Sequence, residues 1–323
     1  MPKKQVPIDL LRLLSNGEFQ SGEAIGSVLG VSRAAVWKQL QKIEELGVRL
    51  ESVKGKGYRL EEPINLLDQA HLSDALAPRL TVDVYSSIDS TNAEVLRRFA
   101  TTTGKGLVVL AESQDAGRGR RGRVWQSPFA QNLYFSMGWC FEGGAAALEG
   151  LSLVVGVSLV EALLALGLEQ ARLKWPNDVL VDGRKLAGIL LEITGDPTGL
   201  CKVVIGIGVN ANMVNAGGSI DQPWVSIRQV LGGMVDRNQL TILLAEKLLA
   251  NLYIFEQHGF AAFAGTWHEL DAFLHQEVIV TQGERRIIGT AAGVNQAGEL
   301  RLDIDGVIQH FNGGEVSLRR KLC

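Results

Sequence analysis

Residues 117–123 read Gly-Arg-Gly-Arg-Arg-Gly-Arg, and no regular element accommodates that heptad. Three glycines in seven residues weaken any helix or strand interior. Four arginines concentrate charge that a core cannot bury. The segment is therefore a loop, and the fold must present it from firmer structure nearby. Just ahead, Leu107 to Ala111 is an apolar run that reads as a strand. Glycine lets backbone approach a ligand closely, and the guanidinium fork matches phosphate oxygens bidentately. Together these predict a strand-end loop that grips a phosphorylated or adenylated ligand.

Gly117, Gly119 and Gly122 also satisfy G-x-G-x-x-G, the dinucleotide fingerprint. That motif needs a helix opening directly from the glycines, so that the pyrophosphate sits on its N-terminus. Val124-Trp125-Gln126-Ser127-Pro128 follows instead and is a poor helix start, which sets the Rossmann reading aside. The plainer alternative is a solvated basic loop, against which stands the absence of any acid within the seven residues.

With 323 residues, 46% of them hydrophobic, the chain can bury a sizeable core and divide into two or three domains. Asp9 and Arg12 interrupt the first apolar run, which is wrong for a signal peptide. Leu151 to Leu168 is the one stretch that resembles a membrane span. Glu161 and two serines lie within it, so a buried helix is expected and no membrane partner. Cys140, Cys201 and Cys323 lack metal or redox spacing, consistent with a reducing cytoplasm. The five histidines are scattered, and no metal site of the protein's own is read from them. Charge is uneven: residues 1–60 hold ten Lys/Arg against six Asp/Glu, while the whole chain carries −3. One end suits a polyanion and the rest does not.

Within those sixty residues Ile8, Leu11 and Leu14 form a helical stripe ending at Asn16-Gly17. Ser21 can cap a second helix that ends near Gly30, and Ser32 a third running from Arg33 to Leu46. The short gap between them is that of a helix-turn-helix. Val36, Leu40 and Ile43 form the third helix's buried stripe. Ser32, Arg33, Ala34, Trp37, Lys38 and Gln41 lie around the remainder, as a major-groove helix requires. Val48–Val53 and Tyr58–Leu60 then flank Lys54-Gly55-Lys56-Gly57, the basic hairpin of a winged helix. A helical docking module with solvated charges is the alternative. Glu61-Glu62-Pro63 marks a boundary.

From residue 80 apolar runs alternate with helical patterns, which indicates an α/β domain. Asp89-Ser90-Thr91-Asn92 leads into a helix, with Ser90 placed to cap it. Lys174-Trp175-Pro176-Asn177-Asp178 follows an apolar helix and precedes the strand-like Val179–Val181. Lys185-Leu186-Ala187-Gly188-Ile189-Leu190 follows a turn at Asp182-Gly183. Val203–Asn212 is a glycine-bearing strand. These motifs, in this order with Gln114 and the arginine heptad, resemble the biotin protein ligases. The winged helix makes the chain similar to the bifunctional form that is also the biotin operon repressor, and the similarity extends to Gly313-Gly314-Glu315-Val316-Ser317-Leu318-Arg319.

The resemblance implies two half-reactions. Biotin and ATP give biotinyl-5′-AMP and diphosphate, and a lysine of a biotin carboxyl carrier protein, the acetyl-CoA carboxylase subunit, then takes the biotinyl group. It implies that Ser90, Thr91, Asn92 and Gln114 line the biotin pocket or hold the ureido end. Arg118, Gly119 and Arg120 would hold the acyl-phosphate linkage, beside Gly117. Lys185 would contact acyl and phosphoryl oxygens, next to Gly188. Trp125 would pack on adenine, Arg319 would reach the nucleotide, and Asn210 would belong to the biotin or adenylate site. Lys174 and Asp178 would supply charge and orient the incoming amine, although Asp178 also suits a plain turn aspartate. Mg²⁺ would accompany the ATP phosphates. Biotinyl-5′-AMP would double as corepressor, favouring a homodimer on operator DNA.

After about residue 275 short strands alternate with Gln282-Gly283, Ala297-Gly298, Asp305-Gly306 and Asn312-Gly313-Gly314 turns, a small β-domain that the resemblance makes an SH3-like barrel. The expected architecture is thus α+β multidomain: a winged helix-turn-helix at 1–63, a central α/β ligase domain at 64–273 and the SH3-like domain at 274–323. The competing functions are a non-enzymatic biotin-sensing transcription factor and a lipoate ligase on the related fold. An intact Lys185 weighs against the first and the arginine loop against the second.

Overall fold

The second and third helical patterns fold as α2 (Gly22–Leu29) and α3 (Arg33–Glu45), behind α1 (Ile8–Leu14). These belong to a computed structural model that describes residues 6–101, 105–196, 198–216, 220–313 and 316–320. Expectations placed on residues 1–5, Gly314, Glu315 and Cys323 lie outside the described residues. The Ser21 and Ser32 side chains accept from the Ala24 and Ala35 amides, and Gly30 closes α2 at φ 65°. Val36, Leu40 and Ile43 are buried with Leu10, Leu11, Leu14 and Ile25. Strands β1 (Leu50–Val53) and β2 (Gly57–Leu60) pair antiparallel around the Lys54-Gly55-Lys56 turn. The first strand starts two residues later than the sequence suggests. The small core reaches across to Phe129 and Ala130 of the central region.

That region begins with α4 (Gln69–Leu76), β3 (Thr81–Tyr85), α5 (Thr91–Phe99) and β4 (Leu107–Ala111). After the arginine loop come β5 (Leu133–Phe141), α6 (Leu151–Ala165), β6 (Arg172–Lys174), β7 (Asp178–Val181), β8 (Arg184–Gly195) and β9 (Cys201–Val209). Among the described residues these strands form one sheet in the order β3-β4-β5-β9-β8-β7-β6. Only β3 and β4 pair in parallel; the remaining ladders are antiparallel. The alternation of strands and helices expected from the sequence thus runs as far as α6, and parallel pairing is confined to β3 and β4. Beyond α6 the chain runs as a meander, because its links are too short to carry crossover helices. The β7–β8 link is two residues, Asp182 at φ 50° and Gly183 at φ 73°, the positive pair a tight hairpin requires.

Helix α6 is buried almost throughout. The stretch 145–165 is long and apolar enough to cross a membrane, yet 67% of its most apolar 18-residue window is buried inside the protein. Its polar groups are matched from α8 (Arg237–His258), which follows α7 (Ile227–Leu231): Asn251 donates to Ser158 Oγ at 3.0 Å and to Glu161 at 3.1 Å. After α9 (Ala264–Leu270), β10 (Glu277–Gln282), β11 (Arg285–Val294), β12 (Leu300–Ile304), β13 (Val307–Phe311) and β14 (Val316–Arg320) form an antiparallel sheet. Its order is β13-β12-β11-β10-β14. The indole nitrogen of Trp175 donates to Gly298 O at 3.1 Å, tying the β6–β7 turn to this sheet.

Candidate active site

The arginine heptad leaves the end of β4, where Gln114 bridges to Ile88, and folds back on itself. Arg118 pairs with Val124, and the Gly119 amide donates to Arg123 O at 2.7 Å. Positive φ falls on Arg121 (59°) and Gly122 (71°) rather than on the first two glycines. Gly117 is required for packing instead: a Cβ there would sit 2.6 Å from Trp125 O. The hairpin-like loop brings all four of its arginines, Arg118, Arg120, Arg121 and Arg123, to the lining of one cavity of about 170 Å³.

Thirteen expected residues line that cavity: Ser90, Thr91, Asn92, Gln114, Arg118, Gly119, Arg120, Trp125, Lys174, Asp178, Lys185, Gly188 and Arg319. They come from the N-terminus of α5, the heptad, the β6–β7 turn, β8 and β14. Gly117 stands behind the wall. Asn210 lines a neighbouring cavity of about 250 Å³ that shares Trp125 and Lys185 with the first. Its side chain donates to Lys185 O and Val225 O, so it also holds the backbone of the lysine.

At one end the polar groups are uncharged. Ser90 accepts from the Ala93 amide, the cap its position suggests. Gln114 Oε1 accepts from the Thr91 amide at 2.9 Å, and its Nε2 donates to Ser127 Oγ at 3.1 Å. At the other end charge dominates. Lys185 Nζ lies 2.6 Å from one Asp178 oxygen and Lys174 Nζ 3.3 Å from the other. Burial pushes the Asp178 carboxyl up, but the two ammonium groups outweigh it and hold its pKa below the ordinary value. The carboxylate thus fixes Lys185 and leaves the trio with net positive charge. Arg120 donates to Asn177 Oδ1 at 3.0 Å and to Gly313 O, joining the loop to the β6–β7 turn and to the chain just before β14.

Sequence reasoning missed the strand glycines that shape the floor. A Cβ on Gly208 would lie 2.5 Å from the Trp125 indole, and one on Gly206 would overlap Asn92. Alternate glycines in an otherwise apolar strand were the available signal. It also missed Glu192, which pairs with Arg118 at 3.1 Å, and the second cavity, which Trp224 and Gln126 help to line. The Trp125 indole nitrogen is buried and has no hydrogen-bond partner among the described residues. Far from the cavity, Ser32, Arg33, Ala34, Trp37, Lys38 and Gln41 are exposed along α3, as are Lys54 and Lys56 on the wing. The Ser32 hydroxyl is occupied by its cap.

Three family models match: an HTH domain at residues 8–59, the biotin/lipoate A/B protein ligase family at 84–210, and a biotin protein ligase C-terminal domain at 273–319. The chain is 44% identical to the bifunctional ligase/repressor BirA of Escherichia coli, over 99% of each chain. A biotin–[acetyl-CoA-carboxylase] ligase of Mycobacterium tuberculosis is 31% identical over 80% of this chain and 97% of its own. Among solved structures, the Aquifex aeolicus biotin protein ligase in complex with biotin and ATP superposes with a TM-score of 0.66 at 30% identity. That match covers 74% of this chain and 99% of the other.

Proposed function

The chain belongs to the biotin protein ligase family, and from its helix-turn-helix domain we propose that it works both as ligase and as biotin-dependent repressor. Biotin's carboxylate attacks the α-phosphorus of ATP, diphosphate leaves, and biotinyl-5′-AMP remains bound. The amine of a carrier lysine then attacks the acyl carbon and AMP departs. The acceptor is a biotin carboxyl carrier protein, the acetyl-CoA carboxylase subunit.

One observation carries this reading: Arg118, Arg120 and Lys185 converge on a cavity whose far end is lined by uncharged Ser90, Thr91, Asn92 and Gln114. The first step brings two anions together, so preorganised cations lower its barrier without a protein nucleophile. Lys185 sits over the Trp125 ring, 5.5 Å from its centroid, and both groups face the two cavities. The acyl-phosphate linkage lies beside them, with the ureido ring toward Thr91 and the adenine toward Asn210 and Trp125. Arg319 reaches the nucleotide from β14. Mg²⁺ would accompany the ATP phosphates and neutralise part of their charge, since the Asp178 carboxylate is engaged by two lysines. A lipoate substrate offers the polar end no ureido group to bind.

The exposed basic face of α3 and the Lys54–Lys56 wing fit a major groove and its phosphates. The bound adenylate acts as corepressor and favours a homodimer on two operator half-sites, in the cytoplasm. Domain limits at 63/64 and 273/274 fit this division of labour. The test combines the purified chain with biotin, ATP, Mg²⁺ and an apo carrier domain, read by intact mass. One carrier lysine gains a biotinyl group, and DNA from upstream of biotin-synthesis genes shifts on a gel only with biotin and ATP together. A folded protein that forms no adenylate overturns the ligase; a shift indifferent to both ligands overturns the switch.

A further inference from the structure

Glu192 lies on β8 outside the cavity lining, yet it touches two residues that form that lining. Its Oε2 accepts from Asn92 Nδ2 at 2.7 Å and pairs with Arg118 at 3.1 Å. A carboxylate only accepts, so it admits one orientation of the Asn92 amide. Asn92 Oδ1 then faces Ser136 Oγ at 2.6 Å and must be the acceptor there. Ser136 has spent its single hydrogen, so it accepts from Thr91 Oγ1 at 2.7 Å. Thr91 Oγ1 also lies 3.2 Å from Gln114 Oε1, but its single hydrogen goes to the closer Ser136, and the Thr91 amide supplies the donor to Gln114 Oε1 at 2.9 Å. Ser136 is fully buried, and no bulk water relieves a reversed link.

We propose that Glu192 is a positioning residue for biotin: it sets the direction of the Asn92–Ser136–Thr91 hydrogen-bond relay and so fixes which polar groups at the uncharged end donate and which accept. The inference rests on the proposed biotin site and extends it to a side chain that does not touch the ligand. The Arg118 pair ties the same carboxylate to the arginine loop, so the relay and the loop share one anchor. Charge-assisted hydrogen bonds such as these hold geometry more firmly than neutral ones.

The test is titration calorimetry with biotin alone, alongside KM for ATP in adenylate formation. Glu192→Leu removes the acceptor and weakens biotin binding by about tenfold or more, of the order expected for a lost charged hydrogen bond, with KM for ATP within about threefold. Glu192→Gln keeps an acceptor and stays within about threefold of the parent for biotin. Asn92→Asp sets two carboxylates face to face and loses biotin binding. Adding Glu192→Gln to that variant restores most of it, because the glutamine amide now donates. A merely structural role does not give this rescue, and the pair decides the matter even where Glu192→Leu fails to fold. Biotin affinity unchanged in Glu192→Leu, or no recovery in the double variant, overturns the proposal. A parent protein that binds biotin but forms no adenylate overturns the ligase reading alone.

Discussion

Asp271, between α9 and the C-terminal sheet, shows how one side chain sets a pH dependence. Its Oδ1 accepts from the Phe273 amide at 2.9 Å, whereas its Oδ2 is buried with no partner among the described residues. Burial lifts its pKa from the usual carboxylate range to about 6, against weaker pulls from that amide, His268 and His275. The folded chain therefore keeps a proton that the unfolded chain releases. Stability falls as pH rises between about 4 and 6, by at most about 3 kcal/mol, and stays lost above. Asp178 acts with the opposite sign: its depressed pKa gives stability at neutral pH that disappears as pH falls below the ordinary carboxylate range. Asp271→Asn should raise the urea midpoint at pH 8 more than at pH 4. An equal effect at both pH values removes the assignment.

The arginine loop is an element held by its ends and by contacts to distant segments, one of them the Arg118–Glu192 pair. Arg120 reaches both Asn177 and the Gly313 carbonyl, so it links the heptad to two other segments while facing the cavity. Replacing it with alanine should speed release of labelled biotinyl-5′-AMP by about 10-fold to 100-fold, the loss of one or two charged hydrogen bonds. Unchanged release assigns retention to other groups. Elements of this kind are legible where local chemistry dictates them. The heptad cannot be regular structure, Ser21, Ser32 and Ser90 each cap the helix they precede, and Asp182-Gly183 makes the turn its residues demand. Strand β6 was not legible, because three residues carry too little periodicity. Helix α8 was overlooked despite Leu240, Leu244, Leu248 and Leu252 along one side. Glu192 looks like any half-exposed strand glutamate, and only the pairing of segments some hundred residues apart reveals its partners. The antiparallel majority of the central sheet was equally hidden, since strand direction depends on connections rather than composition.

Across the whole molecule, a buried ion pair joins the regions. Arg237, at the start of α8, is fully buried and meets Glu112 Oε2 at 2.6 Å. It also donates to the carbonyls of Asn65 and Asn132. Glu112 accepts from the Leu67 amide at 2.7 Å, and Asn238 holds Leu66 and Asp68. The strand preceding the arginine loop, the long helix and the chain leaving the winged helix thus meet at one polar knot. Removing one partner leaves a charge stranded, which costs about 3–5 kcal/mol. Arg237→Met should lower the urea midpoint accordingly, and a loss under 1 kcal/mol refutes the knot's importance. Everything that fastens this knot lies at or after Asn65, whereas Phe129 and Ala130 share one apolar cluster with the N-terminal helices, with Ile64 and Leu66 packed against it. Amputating the DNA-binding module at Pro63 would therefore spare the clasp beneath it but take away the helical part of the cluster around Phe129, leaving Ile64 and Leu66. A free-standing catalytic fragment made in this way would carry a single greasy scar, which a polar residue in place of Phe129 could heal.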